Sequence, residues 1–178
     1  APGAIEVVEW RSKPVWITEM GWSSSKSYYG VSETDQAAYM VRMYLVAMAH
    51  PAVERVFWYD LRNDTQPGSD YTRPVYNEQE IQFHYGMLRR TYPLDPRRGD
   101  LRQPIFAAYR TMTSILDGMQ FEGVLANGDN PNMPGTFAYR YNGGGRAAVA
   151  LWRVNGAAPP TMTIDCQCQE ARIRQWDG

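Results

Sequence analysis

The apolar and polar positions sort the first third of the chain into a strand, a helix and a second strand. Val15, Trp16, Ile17 and Thr18 follow Pro14 and run straight into Glu19. A run apolar on both faces predicts a strand over residues 14–19 that is buried on both faces, as in parallel sheets. Pro14 is tolerated at a strand start. Glu19 then stands at the C-terminal tip, which in parallel α/β folds is where ligands bind. Burying a carboxylate there unpaired is costly, so the bland alternative is a strand-end glutamate that meets solvent or an arginine. The polar stretch from Gly21 to Val31, with serines at 23, 24, 25 and 27, reads as a mobile or ligand-shaped loop.

Ser32 opens a helix. It can cap the chain with Asp35 three residues on, and Glu33 and Asp35 suit the positive end of the helix dipole. Ala37, Met40, Val41, Tyr44, Leu45 and Met48 recur on one helical face. His50-Pro51 should end it, which makes His50 a C-terminal helix residue rather than a catalytic base. Residues 53–58 form the second strand. Strand, helix and strand with short joints predict a right-handed parallel unit.

Further along, residues 60–77 make a long loop rich in Asp, Asn, Pro, Gly and Tyr, a length that usually serves function. Residues 78–90 have room for a short helix or turn, and 97–102 form a basic turn. Pro104 fits the first turn of a second helix, and Gly118 fits the position just after its end. Beyond Gly118 the texture changes to short strand candidates at 136–141, 147–154, 161–164 and 171–176, parted by Gly143-Gly144-Gly145 and Pro159-Pro160. These predict antiparallel strands of a β-sandwich. The division falls at residues 1–119 and 120–178. Residues 1–12 read as the end of a helix.

Composition narrows the function classes. A net charge of −1 favours neither nucleic acid nor an anionic membrane. No apolar run approaches the ~20 residues needed to span a bilayer. Six Trp and twelve Tyr suit sugar faces, although they also build cores. The two cysteines, Cys166 and Cys168, are spaced i, i+2; on a strand a bond between them would be strained, and no further ligand completes a zinc set, so both read as ordinary thiols.

The stretch Pro14-Val15-Trp16-Ile17-Thr18-Glu19-Met20-Gly21-Trp22 resembles the seventh barrel strand of the clan A glycoside hydrolases, retaining enzymes on a (β/α)8 barrel. The match continues through Phe57-Trp58-Tyr59-Asp60-Leu61-Arg62-Asn63-Asp64, which looks like the eighth strand and its loop. His84-Tyr85-Gly86-Met87-Leu88 and Pro104-Ile105-Phe106-Ala107-Ala108-Tyr109 look like the last barrel helix with its lead-in. The resemblance covers roughly residues 5–118. It implies an α/β fold: the C-terminal portion of a TIM barrel, strands seven and eight with their helices, followed by antiparallel sandwich strands.

On that resemblance Glu19 is the catalytic nucleophile. Trp58 would floor the sugar site or simply pack the barrel core, and Trp22 would flank the sugar or pack within its loop. Asp60 and Arg62, with Asp64, would bond sugar hydroxyls or form an Arg–Asp cluster that orders the loop. The family often has a cis peptide after this Trp, so one is expected between Trp58 and Tyr59. Glu19 and Trp58 should open at the same end and on the same face of the sheet. The family's acid/base glutamate follows an Asn on the fourth strand, which this chain lacks. Asn77-Glu78 spells that dipeptide but lies in the wrong loop.

A barrel needs about 250 residues, so two strand–helix units predict a piece of a longer polypeptide or one half of a complementing pair. The implied partners are a carbohydrate substrate and that remaining barrel, with no metal or organic cofactor. No cellular location follows from the residues; a polysaccharide substrate suits a secreted or cell-surface protein. Two alternatives stand beside the enzyme. One is a non-catalytic, barrel-derived glycan-binding or structural surface protein. The other is a plain α/β binding subunit in which Thr18-Glu19 is a coincidence.

Overall fold

A computed structural model describes residues 13–64, 77–90, 101–131, 133–154, 163–164, 168 and 170–175. The architecture is α/β, with a two-stranded parallel sheet and a three-stranded antiparallel sheet, neither of them closed into a barrel. In chain order the elements are β1 (Val15–Met20), α1 (Glu33–Ala49), β2 (Val53–Trp58), a 3-10 turn (Ile81–His84), α2 (Pro104–Leu116), β3 (Gln120–Asn127), β4 (Thr136–Gly143) and β5 (Arg146–Arg153).

The strand–helix–strand unit forms as the pattern predicts: β1 pairs with β2 in parallel. Ser32 caps α1, its hydroxyl accepting from the Asp35 N–H at 3.0 Å and donating to the Asp35 carboxylate at 2.6 Å. His50 is the C-cap, and its Nδ1 accepts from the Ala52 N–H at 3.3 Å. Pro104 sits in the first turn of α2, and Gly118 follows that helix at φ 72°.

Burial of β1 departs from expectation. Val15, Ile17 and Met20 are half-buried, while Trp16 is 55% exposed and its ring neighbour Phe57 on β2 is 47% exposed. The described residues thus pack one face of the pair and leave the other open. The continuous apolar run marks a strand with one packed face and one bare apolar face.

The antiparallel sheet runs β3-β4-β5. The β4–β5 turn carries positive φ at both Gly144 (58°) and Gly145 (72°), the backbone that a tight two-residue hairpin requires. The strand β3 is an addition to the sequence reading: Gln120, Glu122, Gly123 and Asn127 dilute its apolar signal. Residues 163–164 and 171–175 are not strands, which corrects two of the four strand expectations; 161, 162 and 176 lie outside the described residues, as does the expected helix end at 1–12. Cys168 is disulfide-bonded, not a free thiol. It lies outside any strand, so the pleated spacing that argued against a bond does not apply to it. Cys166 is outside the described residues.

One core cluster ties both sheets together. It contains Ala37, Met40 and Leu45 of α1, Met87, Ile105, Ala108, Met112 and Leu116 around α2, and Met119 and Tyr141 further along the chain. Tyr141 is fully buried, and its hydroxyl donates to the Leu45 carbonyl at 3.0 Å, which satisfies both polar groups. Among the described residues no helix is long and apolar enough to cross a membrane.

Candidate functional site at the tips of the parallel strands

The chemistry-bearing residues meet where β1 and β2 end. The Tyr59 N–H donates to the Met20 carbonyl at 2.9 Å, extending the ladder one residue past β2. Gly21 makes room for this approach, since a Cβ there would overlap the Tyr59 carbonyl and lie 3.0 Å from Tyr85 Cδ1.

Register decides where Glu19 points. Ile17 faces Val56 and Met20 faces Trp58, so three steps on β1 match two on β2. Ile17, Met20, Val56 and Trp58 are half-buried, and Trp58 packs against the core cluster. The irregularity leaves both Thr18 and Glu19 exposed. Pleating sets Glu19 on the opposite face from Met20, and irregularities of this kind re-aim side chains. Glu19 and Trp58 thus share an end of the sheet but not a face, which corrects that expectation. Glu19 stands on the face that carries Trp16 and Phe57, away from α1.

Trp58 and Trp22 are packed. The Trp58 indole N–H donates to the Tyr85 carbonyl at 3.0 Å. Its ring stacks on Trp22 with centroids 6.1 Å apart, and Trp22 in turn meets Tyr39 edge-on at 5.5 Å. The backbone of Trp58 also bonds Tyr44, whose hydroxyl burial raises to about 12.

Tyr59 supplies the group that sequence reasoning missed. It lies edge-on to Tyr85 at 5.5 Å, and its hydroxyl donates to Asp64 Oδ2 at 3.4 Å. Burial raises its pKa, and the negative charges of Asp64, Asp60 and Glu19 and the bond to Asp64 add to the rise. One phenol thus feels the carboxylates of both strand ends. An aromatic directly after a strand tip was the signal available in the sequence.

Asp60 follows a cis peptide bond, Tyr59–Asp60, one residue beyond the expected position. Its Oδ1 is buried and accepts no hydrogen bond from the described residues. Burial and the Asp64 charge push its pKa up to about 6, against its own backbone N–H and the Arg62 guanidinium. Arg62 itself is exposed. Arg90 lies 3.8 Å from Asp64.

Among the described residues of this loop, 60–64, Asn63 makes the main attachment. That buried side chain accepts from the Gly86 N–H at 2.8 Å and from Gln103 Nε2 at 3.2 Å. Met87 N–H to the Asp60 carbonyl (3.1 Å) and Leu88 N–H to the Leu61 carbonyl (3.0 Å) complete the attachment.

The loop after β1 is also pinned, contrary to its mobile composition. Ser23 and Ser25 are buried, and Ser24 N–H donates to the His84 carbonyl at 2.9 Å. Gln36 Nε2 donates to the carbonyls of Trp22 (2.7 Å) and His84 (2.9 Å). Glu78 serves this attachment: it pairs with Lys26 at 2.6 Å, and its carbonyl accepts from the Lys26 N–H. Among the described residues no group of three or more His, Cys, Asp or Glu is placed to hold a metal ion. The chain matches no family model, no curated protein and no solved structure.

Proposed function

We propose that this chain is the nucleophile-bearing end of a (β/α)8 barrel, residues 1–119, followed by part of a β-sandwich, and that the complete protein is a retaining O-glycoside hydrolase acting on a polysaccharide or oligosaccharide. The observation that carries the reading is the position of Glu19. It is an exposed carboxylate at the C-terminal tip of a parallel strand, on the face turned away from the helix. In a barrel that face lines the interior, and that end holds the reaction centre. Trp16 and Phe57 on the same bare face suit burial by further strands. Tyr59, Asp60 and Asp64 add hydrogen-bonding groups beside it.

In this reading Glu19 attacks the anomeric carbon and displaces the leaving group, which is protonated by an acid on the remaining barrel. Water then releases the glycosyl-enzyme with net retention. The two carboxyls would stand about 5 to 5.5 Å apart. Trp22 stacks on Trp58 and meets Tyr39, and Trp58 packs on the core, which gives both a positioning role, with sugar contact falling to exposed groups.

The test is turnover of an activated aryl glycoside by the complete protein and by its Glu19→Ala variant. Loss of several orders of magnitude in rate, with azide restoring turnover, is the expected result. Equal activity in the two proteins ends the case for Glu19. Full activity in the isolated 178-residue chain overturns the claim that the acid lies elsewhere. Sugar binding without turnover in the complete wild-type protein leaves the non-catalytic glycan binder.

A further inference from the structure

The loop after β1 displays two aromatic rings that the fold does not use. Tyr28 is 94% exposed and Tyr29 is 77% exposed, and their rings meet edge-on at 5.2 Å, nearly perpendicular. Large aromatics left in water in this way forgo the burial that stabilises a fold. The loop beneath them is fixed on both sides. Lys26 N–H donates to the Glu78 carbonyl at 2.7 Å, the Ser25 and Ser27 hydroxyls lie 2.8 Å apart, and Gly30 N–H donates to the Ser27 carbonyl at 3.1 Å. Val31 N–H closes the loop on the Ser23 carbonyl at 2.9 Å. The pair is therefore held out on a rigid support.

We infer that Tyr28 and Tyr29 form a glycan-holding platform that grips a polysaccharide chain beyond the sugar at Glu19. The inference rests on the glycosidase reading for the identity of the ligand. Three observations argue for it. The loop leaves the same strand tip as Glu19, so the platform belongs to the ligand-binding end of the sheet. Tyrosine offers a flat apolar face for the C–H side of a pyranose and a hydroxyl for its rim, at low conformational cost. Lys26, the only cation between Gly21 and Val31, is already paired with Glu78, so recognition proceeds through ring faces rather than charge. The ligand class is an uncharged pyranose polymer long enough to reach from the reaction centre to the loop.

The experiment is affinity electrophoresis of the complete protein through gels containing neutral β-glucan, xylan, mannan or glycol chitin. It is run at low and at high salt, with Tyr28→Ala/Tyr29→Ala, Tyr28→Phe/Tyr29→Phe and Glu19→Ala variants alongside. The wild type should be retarded by at least one polymer, and salt should not change this. The double alanine variant should bind about 30-fold more weakly, from about five- to six-fold per ring. The double phenylalanine variant should keep most of the binding, because the faces remain. Such exposed substitutions leave folding intact, and the unfolding temperature checks this. No retardation of the wild type by any polymer overturns the platform, as does equal retardation of the double alanine variant. Binding of wild type to phosphatidylcholine vesicles, lost in that variant, replaces the glycan with a lipid surface. The Glu19→Ala variant separates the two claims. Retained polymer binding with lost turnover supports both, and retained binding with full turnover keeps the platform while removing the nucleophile.

Discussion

Replacing Asp60 by a neutral amide, Asp60→Asn, should make the protein more stable at neutral pH and leave it unchanged in acid. In the folded chain the Asp60 pKa stands at about 6 against an ordinary 3.8, first because the carboxyl is buried and second because Asp64 is near. Its Oδ1 receives no hydrogen bond from the described residues that would compensate. The shift is upward, and that sets the sign. Below 3.8 the group is protonated in both states and costs nothing. Between 3.8 and about 6 the unfolded chain releases the proton while the folded chain keeps it, and stability falls as pH rises. Above that window the loss is complete. A rise of this size corresponds to about 3 kcal/mol. The carboxyl is only partly buried, and solvent screening brings the expected effect nearer ~1 kcal/mol. The amide has nearly the same shape as the protonated acid and, like it, carries no charge at any pH in the window, so the variant lacks the decline. Urea unfolding across the window, from mildly acidic to mildly basic buffer, measures it. The stability of Asp60→Asn minus that of wild type should rise from near zero to ~1 kcal/mol, with its midpoint in the window. That difference removes the titration of all other groups. A flat difference across the window, or a variant less stable than wild type at neutral pH, refutes the placement of Asp60 in a desolvated, donor-poor site.

Three further outcomes follow from the packing. Gly21→Ala forces a methyl into the Tyr59 carbonyl and should cost about 1–3 kcal/mol in chemical denaturation; wild-type stability would show that the tips of β1 and β2 do not meet as described. Arg89→Ala breaks a two-pronged, largely buried pair with Glu33 at 2.6 and 2.7 Å, and should lower the unfolding midpoint by an amount equal to about 2 kcal/mol. Tyr141→Phe removes the hydroxyl that donates to the Leu45 carbonyl and should cost about 1–2 kcal/mol, read as faster exchange of amides near the end of α1.

The parallel unit was legible because its signals are local. Ser32 and Asp35 cap the helix, and Pro51 stops it. The apolar spacing from Ala37 to Leu45 gives α1 a face to bury, although Met48, expected on that face, is exposed, and the short joints leave only a parallel return. The hairpin was legible from Gly144 and Gly145, whose backbone favours glycine. What failed was non-local. Whether the second face of β1 is covered depends on what lies against it, and a run such as Val15 to Thr18 carries no record of that. Asn63 and Ser23 look like loop residues, yet both are buried, because their partners come from 23 and 58 residues away. A polar residue in a polar loop gives no hint that its hydrogen bonds fix the loop.

The site shows the same division at finer scale. Glu19 was placed at the right strand end from its position after an apolar run. Its face was not: the resemblance put Glu19 on one face with Trp58, the side that strict alternation from Ile17 would also give it. The irregularity before Met20 reverses that assignment. No residue type between 17 and 20 announces it: Thr18 and Glu19 are ordinary strand-end residues. The cause lies across the ladder, where Tyr59 reaches back to the Met20 carbonyl and Gly21 admits it. Met20 opposes Trp58, and between the paired positions β1 carries one residue more than β2. A carboxylate that would have competed for space with the Trp22–Trp58 stack is thereby delivered to the open face, beside Tyr59 and clear of the helix.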